Sequence, residues 1–232
     1  MLPPAHNVRW LVAWQPDGCD VPLPAALQRD DITVVTQEGR GLSRNRNLAL
    51  RHATGDVCVV ADDDCRYTAE ALQDVLQLFA CHTTLDMALL RSLTHEGQPM
   101  KDYPTEPFDY AHRPRGYYVQ STDIAFRRSS ISHSFDERFG IGAPLPGGED
   151  ELFVHSAWQQ GLRVEYHPLT LCRTAAVTTG ARIDTDPALL RAKGAVLAAM
   201  HGRMSATLRV MKYAATRGVA LRPLLQGVWT NL

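Results

Sequence analysis

Short apolar blocks alternate along this chain with longer stretches of helical period. Residues 8–14 and 32–35 are apolar runs of strand length, separated by a turn at Pro16-Asp17-Gly18 and by prolines at 22 and 24 that limit any helix to about two turns around 25–29. After the glycine-containing connection 36–41, Leu42, Ala49, Leu50 and Ala53 share one face of a helix that Ser43 caps and Gly55 stops. Residues 57–61 are apolar throughout, which predicts a strand buried on both faces. A helix over 68–80 follows, with Leu72, Val75, Leu76 and Phe79 in one stripe, and then a strand at 87–90. This alternation predicts a doubly wound α/β layer.

From residue 94 to 116 the period is lost and a loop or hairpin insertion is expected. A strand over 119–126 follows, then a glycine- and proline-shaped loop, a helix from about 149 to 160, and a strand over 162–166 that His167-Pro168 ends. Beyond Asp186-Pro187, residues 188–200 and 203–217 read as two helices. The first has an apolar stripe of Leu189, Ala192, Val196 and Met200. The second carries Arg209, Lys212 and Arg217 and is basic and amphipathic, a pattern that suits either packing on its own domain or an anionic membrane surface.

Composition narrows this little. A net charge of −1 gives no global reason to expect nucleic-acid binding. Five scattered cysteines without a C-x-x-C pair suggest neither a disulfide framework nor a zinc site, and with no leader-like or membrane-spanning run the expected location is cytoplasmic.

Candidate chemistry sits at Asp62-Asp63-Asp64, where the 57–61 strand ends. The carboxyl ends of strands in open α/β sheets are where ligands bind, and three carboxylates there suit Mg²⁺ or Mn²⁺. Arg44 and Arg46 lie in the first turn of a helix, where the dipole disfavours cations. A bound diphosphate would account for them, as would pairing with the nearby aspartates. Glu149, Asp150 and Glu151 open another helix, a place where acids also serve simply to offset the dipole.

Three segments together resemble the inverting family 2 glycosyltransferases of GT-A fold: Gly41-Leu42-Ser43-Arg44-Asn45-Arg46-Asn47-Leu48-Ala49-Leu50, the D-x-D-like Asp62-Asp63-Asp64, and Phe135-Asp136-Glu137-Arg138-Phe139-Gly140 followed by Gly147-Gly148-Glu149-Asp150. The resemblance covers about residues 8–168. It implies an α/β, Rossmann-like, mostly parallel sheet flanked by helices over residues 1–180, with a donor half at about 1–91, an acceptor half at about 117–168 and a helical extension over 181–232. It implies transfer of a sugar, with inversion, from a nucleotide-sugar donor (UDP-sugar favoured) to a saccharide or lipid-linked saccharide in surface polysaccharide or glycolipid biosynthesis.

By the same resemblance Asp64 would ligate the metal, and Asp62 would assist it or contact the donor. Gln37, Glu38, Arg44, Arg46 and Asn47 would lie on the donor side, Glu149 and Asp136 on the acceptor side, and Asp150 would be the general base, weakened by its place at a helix start. Relatives with an aspartate after the second strand differ from this chain, which has Thr36-Gln37-Glu38. The histidine they carry before a S/T-T-G segment is represented only by the distant His167, read as structural. The competing readings are a non-catalytic nucleotide-sugar binding module and a sugar nucleotidyltransferase, the latter lacking a glycine-rich basic loop after the first strand.

Overall fold

The computed structural model describes residues 7–16, 22–176 and 179–231. Asp17-Gly18 of the expected turn, Cys19 and Thr178 lie outside them. Strand β1 (Trp10–Trp14) pairs in parallel with β2 (Ile32–Thr36). The main sheet orders β3 (Val57–Val59), β6 (Ile124–Arg127), β4 (Met87–Thr94), β7 (Val164–Thr174) and β5 (Phe108–Asp109) side by side. Strands β3, β4 and β7 run one way, while β6, between β3 and β4, and the short β5 at the far edge run the other. The result is the expected α/β architecture, a mostly parallel sheet flanked by helices.

The strand buried on both faces is β4. Met87 and Leu89 point into one core and Ala88 and Leu90 into the other, all fully buried. The β3 segment was expected to behave this way, but it ends its ladder. Val57 and Val59 still face one core and Cys58 and Val60 the other, yet all four remain half-exposed. Strand β7 does not end at His167-Pro168. Its register against β4 shifts between Leu89 and Arg91, opposite Tyr166 and Thr170, and that irregularity takes up the proline, which has no N–H for the ladder. The expected strand over 119–126 forms only in its second half, because Ser121–Asp123 make a 3-10 turn.

Helix α1 (Leu42–His52) starts two residues earlier than expected and is capped by Gly41 at φ +133°, which leaves Ser43 inside it. The buried Ser43 hydroxyl instead donates to the Phe139 carbonyl at 2.6 Å. Helix α2 (Ala69–Cys81) begins as expected, with Thr68 Oγ1 accepting from the Ala71 N–H at 3.1 Å. Helix α3 (Glu149–Gln159) follows Gly148.

At the C-terminus α4 (Pro187–His201), capped by Asp186, and α5 (Arg203–Arg217) match the sequence pattern, and a third helix α6 (Leu221–Val228) joins them. Its shortness and Pro223 hide it in the sequence, although proline is tolerated in a first turn. Ala192, Ala195 and Val196 of α4 pack on Phe139, Leu145 and Leu152, fastening the extension to the α3 region. Between α4 and α6 the backbones nearly touch: a Cβ on Gly194 would lie 2.0 Å from the Leu224 carbonyl oxygen, and one on Gly227 would lie 1.9 Å from that of Arg191.

Alanine normally stabilises a helix relative to glycine by roughly 1 kcal/mol. Gly194→Ala is expected to do the opposite, destabilising the protein by about 1–3 kcal/mol through overpacking against α6. Thermal or urea unfolding of the variant checks the sign.

Candidate active site

Four segments meet at one guanidinium. Arg46, from the second turn of α1, donates through Nη2 to Asp62 Oδ1 at 2.7 Å, and through Nη1 to Asp150 Oδ1 at 2.7 Å and Glu149 Oε1 at 3.2 Å. The chain just beyond β3 supplies Asp62, and the first turn of α3 supplies the other two acids. The turn before β6 closes the group: the Ser121 hydroxyl donates to Asp62 Oδ2 at 2.9 Å and its N–H to Asp150 Oδ2 at 3.1 Å. Arg46 is thus paired with carboxylates, the second of the two roles left open for it. It also lies over the Phe135 ring, 5.5 Å from the centroid.

Burial decides the electrostatics. Desolvation pushes the Asp150 carboxyl up to about 7, helped by the neighbouring charges of Glu149 and Asp62, while the Arg46 cation and the Ser121 N–H pull it down. Burial thus outweighs the helix-start dipole, which by itself would weaken the base. Arg46 itself is held more firmly protonated by the three carboxylates, despite a burial cost that acts the other way.

Behind Ser121 a second buried cluster fixes the turn. Asp123, fully buried, pairs with Lys101 Nζ at 2.7 Å and accepts from Ser92 at 2.7 Å and Tyr103 at 2.9 Å. Lys101 Nζ lies 4.6–5.0 Å from the centroids of Tyr103, Tyr117 and Tyr118.

Asp64 sits apart from the Arg46 group. Its Oδ1 accepts from Thr174 Oγ1 and its Oδ2 from the Ala175 N–H, both at 3.0 Å. It is exposed, as is Asp63, and Asp62 is half-exposed. The three offer only oxygen donors with lone pairs to spare, a set that fits a hard divalent cation whose remaining ligands come from a phosphate-bearing substrate. Among the described residues, the one group of three metal-ligating side chains already converged is His82, Glu165 and His167, placed elsewhere at the C-terminal cap of α2 and on β7. There His167 contacts Glu165 at 3.0 Å.

The other expected site residues are sorted by their bonds. Arg44 is exposed at the start of α1 with no ion pair among the described residues, and Glu38 is exposed nearby. Gln37 is half-buried, its N–H on the Trp14 carbonyl at 3.3 Å and its Nε2 without a partner. Asn47 is corrected from the donor side to a scaffold role. Its buried amide is spent on the Phe135 backbone, at 2.8 and 2.9 Å, and on Glu137 at 3.1 Å. Asp136 is bound bidentately by Arg138 within its own loop.

Glu149 is nearly buried, with one oxygen on Arg46 and Oε2 unpartnered. Ser121 and Thr174 escaped the sequence reading. Ser121 lay in a stretch read only for strand periodicity and Thr174 beyond the point where the last strand was expected to end, and the one available signal was a hydroxyl residue beside an apolar run.

Removing Arg46 would strand three carboxylates. Arg46→Leu is expected to lower stability by about 3–5 kcal/mol near neutral pH. The loss shrinks as pH falls: without the cation these acids hold protons more tightly in the folded than in the unfolded chain, so stability decreases as pH rises. Denaturant titrations at pH 5 and pH 8 measure both effects.

A profile of glycosyl transferase family 2 matches residues 16–135, just over half of the chain. No curated protein matches it. Among solved structures, residues 1–349 of S. aureus TarS in complex with UDP align at TM-score 0.59 and 16% identity, over 91% of this chain and 64% of that one. The same segment with UDP-GlcNAc aligns at TM-score 0.56 and 16% identity, over 95% and 82%. Against the S. aureus TarS crystal structure the TM-score is 0.58 at 15% identity, over 97% of this chain and 55% of that chain. At such identities these likenesses speak for the fold, and with the family profile they establish that the chain belongs to glycosyl transferase family 2 and has a GT-A fold.

Proposed function

We propose that the protein transfers a sugar from a nucleotide-sugar donor, a UDP-sugar in the first instance, to an acceptor hydroxyl with inversion at the anomeric carbon. The observation that carries this reading is Asp150, a carboxylate brought to about 7 and held beside Asp62 by a shared arginine. A base with that proton affinity is half-ionised at neutral pH and strong enough to accept the proton of an attacking hydroxyl. The acceptor oxygen bonds to the anomeric carbon as the bond to the leaving diphosphate breaks, and the hydroxyl proton passes to Asp150.

Asp64, with Asp62, would hold Mg²⁺ or Mn²⁺, which when bound supplies Lewis-acid stabilisation of the departing diphosphate. Arg44 adds positive charge at the α1 start for the same anion, and Gln37 and Glu38, just beyond β2, border the nucleobase pocket. Glu149, buried beside Asp150 and paired with Arg46, orients the loop that carries the base. The choice of uracil rests on the UDP and UDP-GlcNAc complexes of the TarS fold neighbour. A saccharide or lipid-linked acceptor, used on the cytoplasmic side in surface polysaccharide or glycolipid synthesis, completes the proposal.

Turnover of a UDP-sugar should climb as pH rises through about 7, because only ionised Asp150 accepts the proton. Asp150→Asn should lower kcat by about 10²–10⁴-fold and remove that pH step. Asp64→Ala should lose the part of the nucleotide-induced thermal shift that depends on Mn²⁺. Undiminished turnover by Asp150→Asn would remove the base from this scheme, and absence of binding or turnover with any nucleotide sugar would remove the reading itself.

A further inference from the structure

Charge and exposed apolar surface are concentrated in the same part of the chain. Residues 187–232 contain seven arginines and lysines and no aspartate or glutamate, whereas the first 186 residues hold 17 basic against 25 acidic side chains. Among the described residues the large apolar side chains left exposed include Met204 (77%), Leu208 (70%), Met211 (49%) and Trp229 (54%), all within this basic region.

On α5 the three fall at i, i+4 and i+7 and form one outward stripe. The opposite stripe, Ala206, Val210 and Ala214, is buried on the neighbouring helices. Arg209 and Lys212 flank the outward stripe, and Arg217 and Arg222 are exposed beyond it. Trp229 lies next to the start of α5, since the Arg203 guanidinium sits over its ring at 5.7 Å. Beside it the surface forms an open depression lined by Arg191, Gln226, Trp229, Thr230 and Asn231.

We infer that this face docks on an anionic phospholipid surface. Met204, Leu208, Met211 and Trp229 would enter the boundary below the headgroups, and the surrounding arginines and lysines would engage the lipid phosphates. Tryptophan at that depth is favoured because one part of its ring system is apolar and the other can hydrogen-bond. A polynucleotide would also meet the charge, but its phosphate backbone gives nothing for a stripe of methionine and leucine to contact. No described helix is long and apolar enough to cross a membrane, so α5 lies along the surface. This inference uses residues outside the Arg46 group and does not depend on the transferase reading.

The test is co-sedimentation of the full chain with vesicles of phosphatidylcholine alone or mixed with phosphatidylglycerol. The protein should pellet with the mixed vesicles, stay in solution with pure phosphatidylcholine, and be released by raised salt. Leu208→Glu/Met211→Glu, on side chains already exposed, should weaken the apparent affinity at least about tenfold while leaving the circular-dichroism spectrum and melting temperature unchanged. Arg209→Glu/Lys212→Glu should do the same. Vesicles should shift tryptophan emission to the blue in the wild type but far less in Trp229→Phe. Failure to pellet with anionic vesicles, equal pelleting with neutral ones, or full binding by Leu208→Glu/Met211→Glu would each overturn the inference, the first being the result expected if a protein covers this face.

Discussion

A single arginine joins the two sides of the cleft. Arg46 comes from the helix after β2, Asp62 from the end of β3, and Glu149 and Asp150 from a helix about a hundred residues further on. A cation so enclosed costs desolvation energy unless well paired, and so does each carboxylate. Together they form a cluster in which every member is needed to justify the others. The same cluster sets the chemistry, because Asp150 is left with one firm cationic partner and two anionic neighbours in a dry setting, and burial prevails over attraction.

Around that cluster the structure is devoted to holding its parts still. Ser121 reaches both Asp62 and Asp150, and the buried Lys101–Asp123 pair, two residues along, anchors Ser121's turn. Ser43 and Asn47 tie α1 to the 135–140 loop, which leads into α3. Gly140, at φ +104°, has room for no side chain, as a Cβ there would sit 2.9 Å from Ser43 Oγ and 3.3 Å from Glu149 Cδ. The loop thus has to be glycine where it passes the acid that it delivers.

Much of this was legible in the sequence, for physical reasons that differ by element. Helix α2 announced itself through its apolar stripe, and the acids at residues 62–64 and 149–150 through their position at element ends. What periodicity could not convey was partnership. Nothing local shows that Asn47 would turn to Phe135, 88 residues away. The level of Asp150 was out of reach for the same reason, since a helix start is visible in sequence while desolvation depends on what packs over it. Strand β7 ran past Pro168 because a register shift absorbed the proline, a tertiary accommodation with no sequence mark.

The contact between the extension and the catalytic loop has a consequence for how the protein can vary. Gly148, at φ +92°, begins α3, and a Cβ there would lie 2.3 Å from Val196 Cγ2 on α4. The empty space at residue 148 and the bulk at residue 196 are one volume divided between two segments. Whatever lineage this chain descends from, those two positions are not free to drift separately: a larger residue at one demands a smaller residue at the other, and the C-terminal helices are inherited with the loop they brace.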